Sequence, residues 1–507
     1  MIRKILLALG LAISHPLSAQ TGDLPRTTPE EEGVPSDAVR EYFDRLTSYS
    51  GTQIHSIIVM RHGHVIGETY PAPFAPEHQQ TVYSCSKTLT ALAVGVLVDE
   101  DSIQTDQPVA EFFEEEWPDN PSEPLMRMTV RDLLTMQSGI APDWDMRNQT
   151  GRWLSTWLAK DVTNPGHTFG YDSMCSYLLS AIVQRVTGKR LLDFLTERFF
   201  TPMHITKVGW ELSPEGINTG GWGLYIQPEG MAKVGQLLLQ KGRWEDQQLV
   251  SEEWVTEMMT PHVDNDKQDD YCYHMWRCPR EGAARADGAL GQFIYVVPDK
   301  DLVVTITQCM WKNDGSQARA LWDTFIPQMA DTALAANGKA YRQLRERSKA
   351  YAHPVAKGDE HSFLMAQTAS KKMLLRNNLL GWKTVQLNQK SGRIVMTVTT
   401  TTGLTYDIVL GYGRWLQSQS RACPPYSIGA RDRFKGLNGR FVVAGSYAWQ
   451  ADRTLEVRLH YVNWISALTL RFEWRKDDVS IQCVFNYSQK KTTIRGSVVQ
   501  LWNRSLQ

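Results

Sequence analysis

The chain has 507 residues, 42% hydrophobic and 10% aromatic, and its 54 Lys and Arg nearly cancel its 55 Asp and Glu. That length asks for roughly two to four domains, the composition suits a globular protein with a sizeable core, and near-neutral charge without long single-sign runs argues against nucleic-acid or membrane-surface partners. Seven cysteines in so long a chain make no disulfide framework. Cys272 and Cys278 could pair in an oxidising compartment; otherwise the thiols serve as small buried hydrophobes. No Cys/His spacing suits zinc, so neither metal nor other cofactor is implied.

Residues 1–20 read as a secretory signal peptide. Arg3 and Lys4 are followed by an apolar run from Ile5 to Ser14 and by small residues at Ser18-Ala19-Gln20. The run is too short to span a bilayer, no Cys near the cleavage point offers a lipid anchor, and no later segment has about eighteen apolar residues in a row. The expected location is therefore exported, periplasmic or secreted.

Next come two strands, 54–60 and 64–70, forming a hairpin around Arg61-His62-Gly63. A long apolar helix is expected from Ser84 to Asp99. Thr129 is placed to cap a helix beginning Val130-Arg131-Asp132. Further helices are expected from Tyr177 to Thr187, stopped by Gly188, and from Gly230 to Gln240, ended by Lys241-Gly242. Strands at 293–297 and 302–307 flank the turn Pro298-Asp299-Lys300-Asp301. Strands from the two ends of this region could pair in one antiparallel sheet. Residues 338–391 are polar and basic without a clear period. From 392 onward, clean alternation, as in Leu455, Val457, Leu459 and Tyr461, indicates antiparallel strands with one buried face. They suggest a barrel or sandwich of about 110 residues. The expected organisation is 1–20 signal peptide, 21–335 first domain, 336–391 linker or helical connector and 392–507 all-β module. Trp415, Trp449, Trp464 and Trp474 in that module are core residues or a carbohydrate platform.

Three short runs carry chemistry. Ser-x-x-Lys at Ser84 and Lys87 is weak alone; by composition it should occur about once or twice in such a chain, and Ser488-x-x-Lys491 matches it too. Ser84, however, opens an apolar helix, so Lys87 lies one turn later on the same face. The helix N-terminus favours a nascent oxyanion, and burial lowers a Lys pKa. The second run is Tyr171-Asp172-Ser173. About one free Tyr in a thousand is ionised at pH 7, and a cationic Lys nearby would favour the phenolate and make Tyr171 a base. The third is Arg285-Ala286-Asp287-Gly288-Ala289-Leu290-Gly291-Gln292, whose glycines before a strand allow close approach of ligand to backbone.

These runs, in this order, resemble the serine β-lactamase and penicillin-binding-protein-like family over residues 22 to about 335, especially its class C and esterase-like branches. Val130-Arg131-Asp132-Leu133-Leu134-Thr135-Met136-Gln137-Ser138-Gly139 is similar to the family segment VRDLLTMxSG. Pro165-Gly166 through Tyr171 to Gly188, Gly220-Gly221-Trp222-Gly223-Leu224, and Gly291-Gln292 with Val297-Pro298 resemble further family segments. The resemblance implies an α/β fold of α+β type: an antiparallel sheet flanked by helices with an all-helical subdomain, followed here by the C-terminal β module. It implies Ser84 as acylated nucleophile, Lys87 as its activating partner and Tyr171 as general base. Ser84 and Ala289 would supply the oxyanion N–H groups. Ser173, Arg285, Asp287 and Gly288 would meet substrate.

Two departures redirect the expected substrate. The family's third motif usually begins with a cation, Lys-Thr-Gly or His-x-Gly, but here the triplet is Ala286-Asp287-Gly288. The second motif ends in Ser173 where Asn is common. Both turn the expectation toward the esterase and linear-amide branch, with weak or no β-lactamase activity. A D-amino-acid peptidase or carboxypeptidase acting on cell-wall fragments, and a penicillin-recognising or interaction protein with little turnover, are the alternatives. The partner is a small ester, amide or peptide. A Ser-His-Asp triad using His62, His64 or His167 is not expected, because no Gly-x-Ser-x-Gly elbow surrounds a candidate serine.

Overall fold

The computed structural model describes residues 23–265, 269–368, 371–425, 428, 434–437 and 440–500. The signal-peptide expectation at 1–20 lies outside the described residues. No described helix is long and apolar enough to cross a membrane.

The two ends of the hydrolase region meet in one six-stranded sheet. Strand Thr52–Arg61 pairs with His64–Thr69 on one side and with Leu302–Met310 on the other. The sheet continues through Gln292–Val297 and Ala284–Gly288 to Trp276–Arg277, antiparallel throughout. Gln292–Val297 is buried along its whole length, as expected of a strand covered on both faces. Helix Pro228–Leu239 lies on one face, close enough that a Cβ on Gly235 would stand 2.5 Å from the Val303 side chain. Helices Ser36–Ser48 and Gly338–Ala350 cover the other through Val39, Phe43, Leu46 and Leu344.

Between the two halves of the sheet the chain builds a helical layer around Ser86–Asp99, whose residues from Ser86 to Leu97 are all buried. Helix Val130–Leu134 starts from the expected cap: Thr129 accepts from Asp132 N, and Asp132 returns the bond to Thr129 N. Helix Ser173–Thr187 begins one turn earlier than expected, because the Asp172 carboxylate caps Met174 N, and ends at Gly188 in the left-handed conformation.

The second half is a closed barrel. Strands Lys371–Leu375, Trp382–Lys390, Arg393–Thr400 and Thr405–Tyr412 run consecutively. Phe441–Ala451, Thr454–Tyr461, Ala467–Arg475, Asp478–Phe485 and Lys491–Gln500 follow in order, and the last returns to Lys371–Leu375. A parallel pairing of Leu410–Tyr412 with Gly445–Tyr447 closes the ring of nine described strands, and closure removes exposed edges. The alternation read from 455–485 matches the observed inward burial. Barrel strands start at 371 rather than 392, inside the stretch expected to be a connector; Lys371–Leu375 and Trp382–Lys390 mix long polar residues into their outward face, which blurs their period. Trp449, Trp464 and Trp474 are buried in the barrel. Trp415 is partly buried with its indole N–H bonded to His353 O, so none is laid out as a platform for a sugar.

The barrel is seated on the hydrolase half close to the Ser84 run. Trp464 packs on Tyr83 and Tyr225, at centroid distances of 5.6 and 5.8 Å. Asn463 donates to Gln79 O (3.2 Å), Asn486 to Gln53 Oε1 (2.9 Å) and Lys435 to Ser213 O (2.9 Å). All seven cysteines are free thiols; Cys272 and Cys278 are buried and unbridged.

Candidate active site

Ser84 lies in a single 3-10 turn, Tyr83–Cys85, immediately before the helix that starts at Ser86. It therefore precedes the α-helix rather than opening it. Tyr83 holds a left-handed φ of 44°, a conformation uncommon outside Gly, and Trp464 packs against its ring. Ser86 Oγ donates to Tyr83 O and accepts from Leu224 N (3.2 Å), tying the turn to the neighbouring strand.

Lys87 comes next, buried to 1% exposure. Its Nζ stands 3.0 Å from Ser84 Oγ, 3.0 Å from Ser173 Oγ and 2.7 Å from Gly221 O. Burial pushes the ammonium down to about 7, against the pull of the Asp172 carboxylate in the other direction. A neutral amine there donates its two hydrogens to Gly221 O and Ser173 Oγ and turns its lone pair to the Ser84 hydroxyl. Ser173, expected to meet substrate, both lines the cavity and holds Lys87.

Tyr171 stands over the same pair. Its ring centroid is 4.8 Å from Lys87 Nζ, and its hydroxyl hydrogen-bonds Ser84. Trp276, Tyr271 and Trp144 surround it at 5.6, 6.0 and 6.4 Å. Burial pushes its phenol above the ordinary value near 10, and the bond to Ser84 only partly offsets this. Burial pushes both groups toward their neutral forms, the Lys87 amine and the Tyr171 phenol, because it penalises whichever form is charged.

The third run forms strand Ala284–Gly288 and its turn into Gln292–Val297. Gly288 passes so close to the nucleophile segment that an added Cβ would lie 2.3 Å from Val82 O, and Gly291, at φ 88°, has a left-handed turn conformation. The Gln292 amide braces that turn by donating to Ala289 O and Leu290 O (both 3.3 Å) and Gln308 O (2.7 Å). Ala289 lines the cavity with Ser84. Arg285 and Asp287, two residues apart on the strand, lie on the same wall, 3.1 Å apart, and Asp269 takes the other side of Arg285 at 2.8 Å. Burial raises the Asp287 carboxyl above the ordinary range, opposed by the Arg285 guanidinium.

The resulting cavity of about 860 Å³ holds Ser84, Tyr171, Ser173, Arg285, Asp287 and Ala289 together. Its remaining walls were not read from the sequence: Pro142, Trp144, Arg147, Trp222, Asp269, Trp276 and, from the barrel half, Ile428. They come from loops, the 3-10 turn at Trp144 and the two-residue strand Trp276–Arg277, segments too short to show a period, and only the high Trp content hinted at them. A larger cavity of about 970 Å³ near Asp44, Arg347 and His353 has no serine–lysine pair in its wall. His62 Nδ1 hydrogen-bonds Glu32 at 2.6 Å, and His64 Nδ1 stands 3.0 Å from the same carboxylate.

A family model described as Beta-lactamase matches residues 40–323. The 6-aminohexanoate-dimer hydrolase of Paenarthrobacter ureafaciens is 26% identical over 313 residues, covering 55% of this chain and 78% of the relative. Among solved structures, an octameric penicillin-binding protein homologue from Pyrococcus abyssi is 16% identical with a TM-score of 0.45, covering 90% of this chain and 98% of the other. A penicillin-binding protein homologue from Caulobacter crescentus is 18% identical with a TM-score of 0.48, covering 59% and 98%.

Proposed function

This chain belongs to the Beta-lactamase family and is a serine hydrolase, and from that premise we propose that it cleaves ester or amide bonds through an acyl-enzyme on Ser84. The observation that carries the reading is the buried Lys87 Nζ, held near neutrality 3.0 Å from Ser84 Oγ with its other directions taken by Gly221 O and Ser173 Oγ. Lys87 accepts the Ser84 proton as Oγ attacks the acyl carbon. The N–H groups of Ser84 and Ala289 receive the developing oxyanion. Tyr171, kept protonated, passes its proton to the leaving group and recovers one from Lys87. Water then attacks the acyl carbon, its proton returns through the same pair, and Ser84 is released.

The wall at Arg285 supports the substrate class. Asp269 and Asp287 already occupy the guanidinium, so it is not free to clamp a substrate carboxylate, and Asp287 adds a like charge. Linear esters and amides without a carboxylate at that end are favoured over β-lactams and carboxylate-ended peptides. A relative named for hydrolysis of a 6-aminohexanoate dimer, an amide, is in keeping with amide cleavage. We also propose export, resting on residues 1–20; N-terminal sequencing of the protein recovered from the periplasm or medium tests it.

A hydrolysis screen of short-chain esters, D-amino-acid amides and nitrocefin, with wild type and Ser84→Ala, tests the whole reading. Ester or amide turnover that vanishes in Ser84→Ala is expected. Undiminished turnover in the variant would overturn the nucleophile, and nitrocefin cleavage at the rate of an efficient β-lactamase would overturn the substrate class.

A further inference from the structure

Three histidines distant in sequence meet where the sheet, the segment after helix Gly338–Ala350 and the barrel join. His55 is the extra residue of a β-bulge: Ile54 pairs with Gln308 and Ser56 with Thr307, leaving His55 without a partner. Bulges re-aim side chains, and here the ring stacks on Phe74 at 3.9 Å. His353 stacks on His460 of strand Thr454–Tyr461 at 5.0 Å and meets His55 edge-on at 6.5 Å. Phe74 stands edge-on to both His353 and His460 at 5.6 Å, and Trp415 edge-on to His460 at 4.9 Å. His55 and His460 are 1% and 5% exposed.

The hydrogen bonds fix which nitrogen carries a hydrogen at two of the three. The Gln80 amide N–H donates to Val462 O of the barrel, so its Oε1 faces His55 Nδ1, 3.1 Å away. That oxygen only accepts; Nδ1 therefore carries the hydrogen, and Nε2 keeps a buried lone pair without a partner. His353 donates from Nε2 to Ile54 O at 2.7 Å, the carbonyl beside the bulge. Among the described residues, the rings themselves and Arg458 act on this cluster, and His353, only partly buried, also borders the cavity whose wall carries Asp37, Arg40, Glu41, Asp44, Arg45 and Arg347. Glu456 is held by Arg458 at 2.7 Å, and Glu77 acts on His78 rather than on the three. A proton added to His55 Nε2 would thus form a buried N–H without an acceptor, in a cluster with no carboxylate to balance it.

This cluster is wired to the nucleophile. Gln80 belongs to the short strand Gln80–Thr81, which pairs with Leu224–Ile226 and leads through Val82 and Tyr83 to Ser84. We propose that His55, His353 and His460 form an acid-released latch, which holds the barrel against the Gln80–Ser84 segment at neutral pH and lets go when the rings take up protons.

Burial holds His55 down to about 3 and His353 to about 4, and His460 well below its ordinary value, with His353 adding to the depression of both others and His55 to that of His460. A released histidine titrates near 6.5. The open form therefore binds more protons between about pH 6.5 and 4, so latch stability is full above that window and is lost as pH falls through it. At pH 5, each ring that gains a proton on release favours opening by roughly thirty-fold.

Hydrogen exchange read by mass spectrometry on peptides covering 70–82 and 412–420, corrected for intrinsic exchange rate, tests this without reference to catalysis. Wild type should exchange at least about a hundredfold faster at pH 5 than at pH 7.5 in these segments, and the rise should be at least about tenfold smaller in His353→Gln/His460→Gln, which keeps only His55. An equal rise in the variant, or no rise in wild type, overturns the latch; the wild-type series and the single variants read the same quantity should the double variant fail to fold. The Ser84 labelling rate by a fluorophosphonate, followed over the same pH series, then reports whether the opening reaches the nucleophile.

Discussion

Ser-x-x-Lys occurs twice at issue in this chain, at Ser84–Lys87 and at Ser488–Lys491, and the two fold into different environments. Ser488 and Lys491 are exposed in the turn between strands Asp478–Phe485 and Lys491–Gln500, and Ser488 Oγ merely accepts from Lys490 N at 3.4 Å. Lys87 is carried on a buried helix and stands 3.0 Å from Ser84 Oγ. The first lysine lies in water on the surface. Burial of the second makes the neutral amine accessible near pH 7. Spacing supplies reach; the surrounding core supplies reactivity.

The comparison breaks most sharply by truncating each serine. Ser84→Ala should lower kcat/KM by about 10⁴-fold or more, while Ser488→Ala leaves it unchanged; comparable losses in both would sink the distinction. Lys87→Met should cost about 10³-fold, within the range for lost acid–base help, against no effect for Lys491→Met. Melting curves of both variants separate lost chemistry from lost fold.

Half of what matters at Ser84 was legible. The Thr129 cap, the hairpin around His62, the alternation at 455–485 and Lys87 one turn after Ser84 follow local patterns that survive folding, whereas the place of Tyr171 beside them came from the family resemblance. Gly221 O, Asp269, Trp144 and Trp276 did not show, because their approach is set by tertiary packing and not by any local period. The effect of burial on Tyr171 was hidden for a related reason. Spacing brings a lysine near the ring, but only three-dimensional burial shows that ammonium and phenol are both pushed toward their neutral forms.

The next effect is on pH. With Lys87 near 7, acylation should fall about tenfold per unit below pH 7, since the protonated amine cannot accept the Ser84 proton. A profile flat from pH 7 to 5 on a substrate of fixed charge would exclude Lys87 as base. The smallest effect should come from Asp172→Asn. Asparagine still caps Met174 N, but the charge that raises the Lys87 pKa is gone. The acid limb should move down by about half a unit to one unit, a gain of a few-fold at pH 6; a shift upward would contradict the electrostatics.

The most direct measurement is the site of the acyl group itself. A slowly deacylating activated ester, quenched during turnover and digested, should leave its acyl mass on the peptide containing Ser84 and disappear in Lys87→Met on the same time scale. Acyl mass on any other serine, Ser488 included, or full turnover with no adduct at Ser84, would contradict the account.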